Sequence, residues 1–172
     1  MGRDKARLPF QGGRLAEFVA RAVESAAGSA VLVGDPALYG EFGYQVVADL
    51  YAGEGPLGGI LTALDHTRAD WNLVVACDMP GLTAGFLSRI LDAAEQSGRA
   101  ALMPAGPSGR PEPLCAVYNR RARPEIEAAF RRGERKITAA LAGLGVEILA
   151  VAEVAEFQNV NTPEDWADYV AE

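Results

Sequence analysis

Histidine occurs once and cysteine twice in 172 residues, and this scarcity removes several chemistries at the outset. A single imidazole, His66, cannot build a histidine metal cluster, and it makes a Ser-His-Asp hydrolase hard to assemble. It sits near a predicted helix end, where an exposed residue is expected. Cys77 and Cys115 fall in apolar segments that read as strands. They are expected to be small buried hydrophobes kept reduced, not a disulfide or a metal pair. Positive charge is short too: 16 Lys and Arg against 23 Asp and Glu leave a net charge of −7. That balance argues against a general binder of nucleic-acid backbones and points to small-molecule ligands. No apolar run approaches the length of a membrane span. Met1-Gly2-Arg3-Asp4-Lys5 has the charge of a signal sequence without its apolar centre, so a cytoplasmic protein is expected. Internal repeats and low-complexity tracts are also lacking.

What is present suits one α/β domain over residues 1–172: the length of a single domain, with 49% apolar residues to fill its core. Leu15, Phe18, Val19, Ala22, Val23 and Ala26 recur at three and four, predicting a helix from Leu15 to Ala27 that Gly28 ends. Ala30 to Val33, closed by Gly34-Asp35-Pro36, and Tyr44 to Ala48, ending at Asp49, read as buried strands. Leu57 to Thr67 is helical in period. Trp71 to Ala76 is a continuous apolar strand stopping at Cys77-Asp78-Met79-Pro80, and Thr83 is a plausible N-cap for a helix to Gln96. The alternation then loosens. Ala100 to Met103 and Leu114 to Tyr118 read as strands around a Gly- and Pro-rich loop, where the sheet could take an antiparallel member. Helices over Arg123 to Arg131 and Ile137 to Leu144, a strand over Val146 to Val151, and a final helix after Thr162-Pro163 complete an open, mainly parallel sheet with helices on both faces.

In such sheets ligands bind beyond the carboxyl ends of the strands. Three of those ends carry oxygen ligands: Asp49, Asp78, and the pair Asn159 and Asn161. A carboxylate and an amide oxygen converging on one crevice suit Mg²⁺, which takes few protein oxygens and fills its other positions with water and phosphate. Taken singly, a helix cap or turn residue is the stronger reading of each. Gly53-Glu54-Gly55-Pro56-Leu57-Gly58-Gly59 lies between a strand and a helix, where side-chain-free backbone can approach a nucleotide, although alone it is a weak motif. Gly2-Arg3-Asp4-Lys5 offers cations that would act on phosphates. By itself it is an ordinary charged N-terminus.

Order and spacing change that weighting. Gly-x-x-Lys with Leu8-Pro9-Phe10 and a Gly12-Gly13 turn is followed by Gly55-Pro56-Leu57-Gly58-Gly59, Cys77-Asp78-Met79-Pro80, Glu112 to Tyr118, and Asn159-Val160-Asn161-Thr162-Pro163-Glu164-Asp165. The series covers nearly the whole chain and resembles the molybdenum cofactor guanylyltransferase family, MobA-like nucleotidyltransferases. The resemblance implies a Rossmann-like three-layer α/β sandwich of the nucleotide-diphospho-sugar transferase type. It also implies Mg²⁺-dependent transfer of GMP from GTP to molybdopterin-bound molybdenum, with release of pyrophosphate. Under it, Lys5 contacts the triphosphate with Arg3 as helper, and Lys5 and Asp78 carry catalysis. The nucleotide site comprises Gly2, Arg3, Lys5, Asp49, Gly55, Pro56, Leu57 and Asp78, and the metal site Asp78 and Asn161. Glu112 to Tyr118 lies on the side receiving the pterin. Transient contact with other cofactor-biosynthesis proteins is implied as well.

The family pattern opens with a buried strand and a loop of the type Leu-Ala-Gly-Gly-x-x-x-Arg-Met-Gly, and this chain begins at its Met-Gly. A sheet without its first strand is therefore expected, as from a start codon set too far downstream. Neighbouring strands would be left with unpaired backbone groups, each costing roughly 1–3 kcal/mol if buried. Two rivals share the remaining motifs: a cytidylyl- or other small-molecule nucleotidyltransferase of the same fold, and a truncated domain that kept the fold without catalysis.

Overall fold

The computed structural model describes residues 4–152 together with Val160, Trp166 and Tyr169. After a 3-10 turn at Lys5–Arg7, a small antiparallel hairpin pairs β1 (Pro9–Phe10) with β2 (Gly13–Arg14). Helix α1 (Leu15–Ala27) follows, and the Glu17 carboxylate accepts the Arg14 N–H at 2.7 Å to satisfy one open donor of its first turn. At its other end Gly28, with φ +79°, adopts the left-handed turn that ends helices. Strand β3 (Val31–Val33) runs parallel to β4 (Gln45–Val47), with helix α2 (Pro36–Tyr39) between them. Helix α2 is not among the elements expected from the sequence. Its mark is Asp35-Pro36: the Asp35 carboxylate accepts the Ala37 N–H at 2.8 Å, and Pro36 occupies the first turn, where no N–H is needed.

Helix α3 (Pro56–His66) places Leu57, Ile60, Leu61 and Leu64 on one buried face, with His66 exposed at its last position as expected. Strand β5 (Trp71–Val75) leads to helix α4 (Ala84–Ser97), whose cap is Thr83, its hydroxyl oxygen accepting the Phe86 N–H at 3.2 Å. Strands β6 (Ala101–Ala105) and β7 (Cys115–Asn119), helices α5 (Arg123–Arg131) and α6 (Ile137–Ala140), and strand β8 (Val146–Ala150) complete the elements. Helix α6 is one turn long, where the periodicity predicts a helix to Leu144. The chain turns instead, the Leu144 N–H reaching the Leu141 carbonyl at 2.9 Å next to Gly143 and Gly145, which carry a high helical cost. The helix expected after Thr162-Pro163 lies outside the described residues.

Strands β5, β7, β6 and β8 form one sheet in that order, and β7 alone runs against the other three, the antiparallel member expected in this region. Pro104 sits inside β6 against Leu149 of β8, so the strand continues two residues beyond its expected end. The alternation of β6 and β7 sorts the core into two layers. Leu102, Cys115 and Val117 pack with Leu15 and Val19 of α1 and Phe86, Leu87 and Ile90 of α4. Ala101, Met103, Ala116 and Tyr118 pack on the other face with α3, α5 and α6. The result is the three-layer sandwich expected of the family, with one departure from a single sheet. Among the described residues no ladder joins the β3–β4 pair to the four-stranded sheet, and α3 packs against both β3 and β5. Strand β5, which pairs on one side only among the described residues, is half-buried along its length, while β6 and β7 are fully buried.

Candidate functional site

The carboxyl end of β5 carries the strongest constellation. Three residues past Val75, the Asp78 carboxylate receives the Lys5 ammonium at 2.8 Å, joining positions 73 residues apart. Both side chains are partly exposed, 27% for Lys5 and 18% for Asp78, so each can reach a ligand. Lys5 is held by local structure: the Asp4 carboxylate accepts the Ala6 N–H at 3.0 Å and starts the 3-10 turn that carries it. Asp78 is held by its flanks, since Met79 is fully buried and the Asp78 carbonyl accepts the Val160 N–H at 2.9 Å. Val160 stands between Asn159 and Asn161 in sequence, and both asparagines lie outside the described residues, as do Gly2 and Arg3.

Cys77 was expected inside the strand, but the ladder ends at Val75 and the thiol sits beside Asp78. Burial, reinforced by the Asp78 and Asp4 carboxylates, pushes its pKa up to about 11. A thiol so protonated is a poor nucleophile. Cys115 is fully buried in β7, and neither cysteine is in a disulfide.

Asp4 and Tyr39 are neighbours that the sequence pattern does not single out. Burial, reinforced by the nearby Asp4 carboxylate, raises the Tyr39 hydroxyl pKa. The Tyr39 ring also lies over Gly34, where a Cβ would come within 2.8 Å of it. Beyond them, Arg7 and Arg14 share the Glu41 carboxylate at 2.6 and 3.1 Å, and the Arg14 guanidinium lies 4.6 Å from the centre of the Phe42 ring. The Asp4 cap had a signal in its position two residues before the turn's first free N–H. The Tyr39 contact had none, because it joins separate elements.

Asp49, two residues past the end of β4, takes the turn role open to any such residue. One oxygen, Oδ1, accepts the Tyr51 N–H at 3.0 Å and the Thr62 hydroxyl at 2.9 Å, tying the loop to α3. Gly53 and Gly55, with φ +82° and +83°, shape that loop, a backbone that β-carbon-bearing residues rarely adopt. Gly55 and Pro56 are exposed, while Leu57 is fully buried. Burial divides the segment Glu112 to Tyr118 in two. Cys115, Ala116, Val117 and Tyr118 are sealed in β7 between two strands and two helix layers, so no pterin can touch their side chains. Only Glu112, Pro113 and Leu114 keep partial exposure, and burial raises the Glu112 carboxyl pKa.

This arrangement places a mobile-stemmed cation against a carboxylate at a strand end, with a glycine-shaped loop opening another helix. Such a set can neutralise phosphates and hold a hard cation. Among the described residues no three His, Cys, Asp or Glu side chains converge as a protein cage for a metal. No helix there is long and apolar enough to cross a membrane.

Comparison with known proteins brings out molybdenum cofactor guanylyltransferases among the relatives. The molybdenum cofactor guanylyltransferase of Shewanella sp. (strain MR-4) is 38% identical over 136 residues, covering 78% of this chain and 68% of that protein. A probable molybdenum cofactor guanylyltransferase of Clostridium perfringens (strain ATCC 13124) is 28% identical over 177 residues, covering 98% and 88%. Among solved structures, molybdopterin-guanine dinucleotide biosynthesis protein A from Archaeoglobus fulgidus matches with a TM-score of 0.84 and 31% identity, covering 97% of this chain and 89% of that one. The model of the MobA-like NTP transferase domain matches residues 1–147, and the chain accordingly belongs to that family and is a nucleotidyltransferase.

Proposed function

We propose that this nucleotidyltransferase works in the cytoplasm and moves GMP from GTP to molybdopterin-bound molybdenum cofactor, releasing pyrophosphate in an Mg²⁺-dependent reaction. The observation that carries the reading is the Lys5–Asp78 pair at the end of β5. Nucleotidyl transfer asks a protein to align two phosphates and neutralise developing charge, and it needs no protein nucleophile. That demand suits a site whose nearest thiol, Cys77, is held protonated.

Lys5 supplies a point charge for the phosphates, and its contact with Asp78 keeps the two groups in register. Asp78 fits a Mg²⁺ ligand because that ion is held by one or two carboxylates and by substrate phosphates, and this carboxylate is partly exposed and fixed through its backbone. Asn161, next to Val160, is the second candidate ligand. When bound, the ion would offset charge on the phosphate oxygens and the departing pyrophosphate. Asp49, with Oδ1 occupied, would contact the nucleotide through its other oxygen. Gly55 and Pro56 would line the nucleotide, with Leu57 buried beneath them and Gly2 and Arg3 completing the phosphate side. Glu112 to Leu114 would face the pterin, and transient docking with other cofactor-biosynthesis proteins would deliver it. The phosphate of the pterin attacks the α-phosphorus in line, and Lys5 stabilises the charge as it shifts to pyrophosphate.

The test is turnover with GTP against CTP, molybdopterin–molybdenum as acceptor, with and without Mg²⁺. Pyrophosphate release with GTP at more than about tenfold the CTP rate is expected. Equal or faster use of CTP would reassign the base, and binding of nucleotide without turnover would leave the non-catalytic domain as the better reading.

A further inference from the structure

The loop that opens α3 is gripped from a distant part of the chain. Arg135, in the turn between α5 and α6, donates from Nε to one oxygen of Glu54 at 2.9 Å, and its Nη2 forms an ion pair with that same oxygen at 2.8 Å. Its third nitrogen, Nη1, donates to the carbonyls of Phe130 and Glu134, both at 2.9 Å. The guanidinium lies 4.0 Å from the centre of the Phe130 ring, and that ring meets Tyr51 edge-on at 4.8 Å. Tyr51 in turn starts the glycine loop, and its Cβ lies 2.7 Å from where a Cβ on Gly58 would stand. Arg135 thus holds the loop by its tip, through Glu54, and by its base, through Phe130 and Tyr51.

This pair is poorly placed to stabilise the fold. Arg135 and Glu54 are 41% and 50% exposed, and ion pairs that open to solvent contribute little to stability. What they constrain is a segment with left-handed glycines at 53 and 55, whose backbone has unusual freedom. Engagement of all three guanidinium nitrogens gives a rigid clamp, which an ammonium could not reproduce.

We propose that Arg135 is a positioning residue for the nucleotide: by holding Glu54 it sets the shape in which the loop over 53–55 meets the substrate. The inference rests on the assignment of that loop to the nucleotide made above. It makes Arg135 and Glu54 a unit that governs GTP affinity without touching the reacting atoms.

The experiment compares wild type, Arg135→Ala, Arg135→Lys and the charge-swapped Glu54→Arg/Arg135→Glu by amide hydrogen exchange, GTP titration and turnover. In Arg135→Ala the amides of 51–58 should exchange about tenfold faster while those of α1 and α4 stay unchanged. The KM and Kd for GTP should rise about tenfold with kcat within about twofold. Arg135→Lys should resemble Arg135→Ala, and the swapped pair should recover part of both effects. Unchanged exchange in the loop overturns the inference whatever the activity, and so does faster loop exchange with unaltered GTP affinity. Acceleration spread over the whole protein would show a merely structural role and overturns it as well. A wild-type protein that binds no GTP sinks the parent assignment, and the nucleotide role of the clamp with it, whereas a GTP-binding wild type indifferent to Arg135→Ala sinks the clamp alone.

Discussion

Replacing Asp78 with Asn keeps the shape of the side chain and removes its charge, so it separates the site's chemistry from its contribution to folding. The structure sets both magnitudes. The Lys5–Asp78 pair is tight at 2.8 Å but partly exposed, 27% and 18%, which places it between a solvated pair and a buried one. Breaking it should cost about 1–2 kcal/mol of stability. For a chain of this length that is a fall in Tm of roughly 2–8 °C. The catalytic loss should be larger, about 10²–10³-fold in kcat or roughly 3–4 kcal/mol, because the carboxylate acts where charge develops in the transition state. Pyrophosphate release under saturating GTP and molybdenum cofactor, alongside a thermal melt, measures both. Lys5→Met supplies the companion: its loss should fall mainly on GTP affinity, since the ammonium contacts phosphates already present in the ground state. Asp78→Asn activity within about threefold of wild type would refute the assignment. A Tm fall beyond about 15 °C would show that the pair is a structural element instead.

Gly58→Ala should destabilise the protein by about 1–3 kcal/mol, because its Cβ would stand 2.7 Å from Tyr51 Cβ and 3.2 Å from the Tyr51 carbonyl oxygen. Gly59→Ala, with no atom within 4 Å of the new methyl, should instead stabilise by up to about 1 kcal/mol, and urea melts of the two variants give the comparison. Cys77, with its pKa near 11, should react with iodoacetamide at pH 8 about a hundredfold more slowly than an ordinary thiol, and unfolding should remove the difference. Glu112 has a raised carboxyl pKa in the folded state, so the native protein binds its proton more readily than the unfolded chain and stability falls as pH rises through that window. Glu112→Gln should therefore raise Tm at about pH 7 and lose that advantage at about pH 4, as thermal melts across the range would show.

Much of the fold was legible because burial and periodicity coincide. In α1 and α3 the three-and-four spacing of apolar residues matched the faces that pack inward, and the caps at Thr83 and Gly28 stood where their geometry requires. Boundaries shifted where local preference met tertiary demand: β6 runs on through Pro104 because β8 pairs alongside it, and α6 stops early where glycines follow. The site was partly legible. Asp78 could be marked from its position after an apolar strand and from the family resemblance, and Lys5 from the motif order. Their contact could not be read, because nothing in 73 residues of intervening chain states which strand end faces the N-terminal turn.

Composition, spacing and motif order by themselves determined the class of fold, the two-sided helix layers and the family, since each depends on residues near one another in the chain or on their sequence. Tertiary structure alone decided that Lys5 meets Asp78, that Cys115 to Tyr118 are sealed in the core, and that Arg135 reaches Glu54. Those facts follow from which elements pack side by side, and packing is settled by shape and hydrogen-bond pairing across the whole molecule, where sequence distance carries no information.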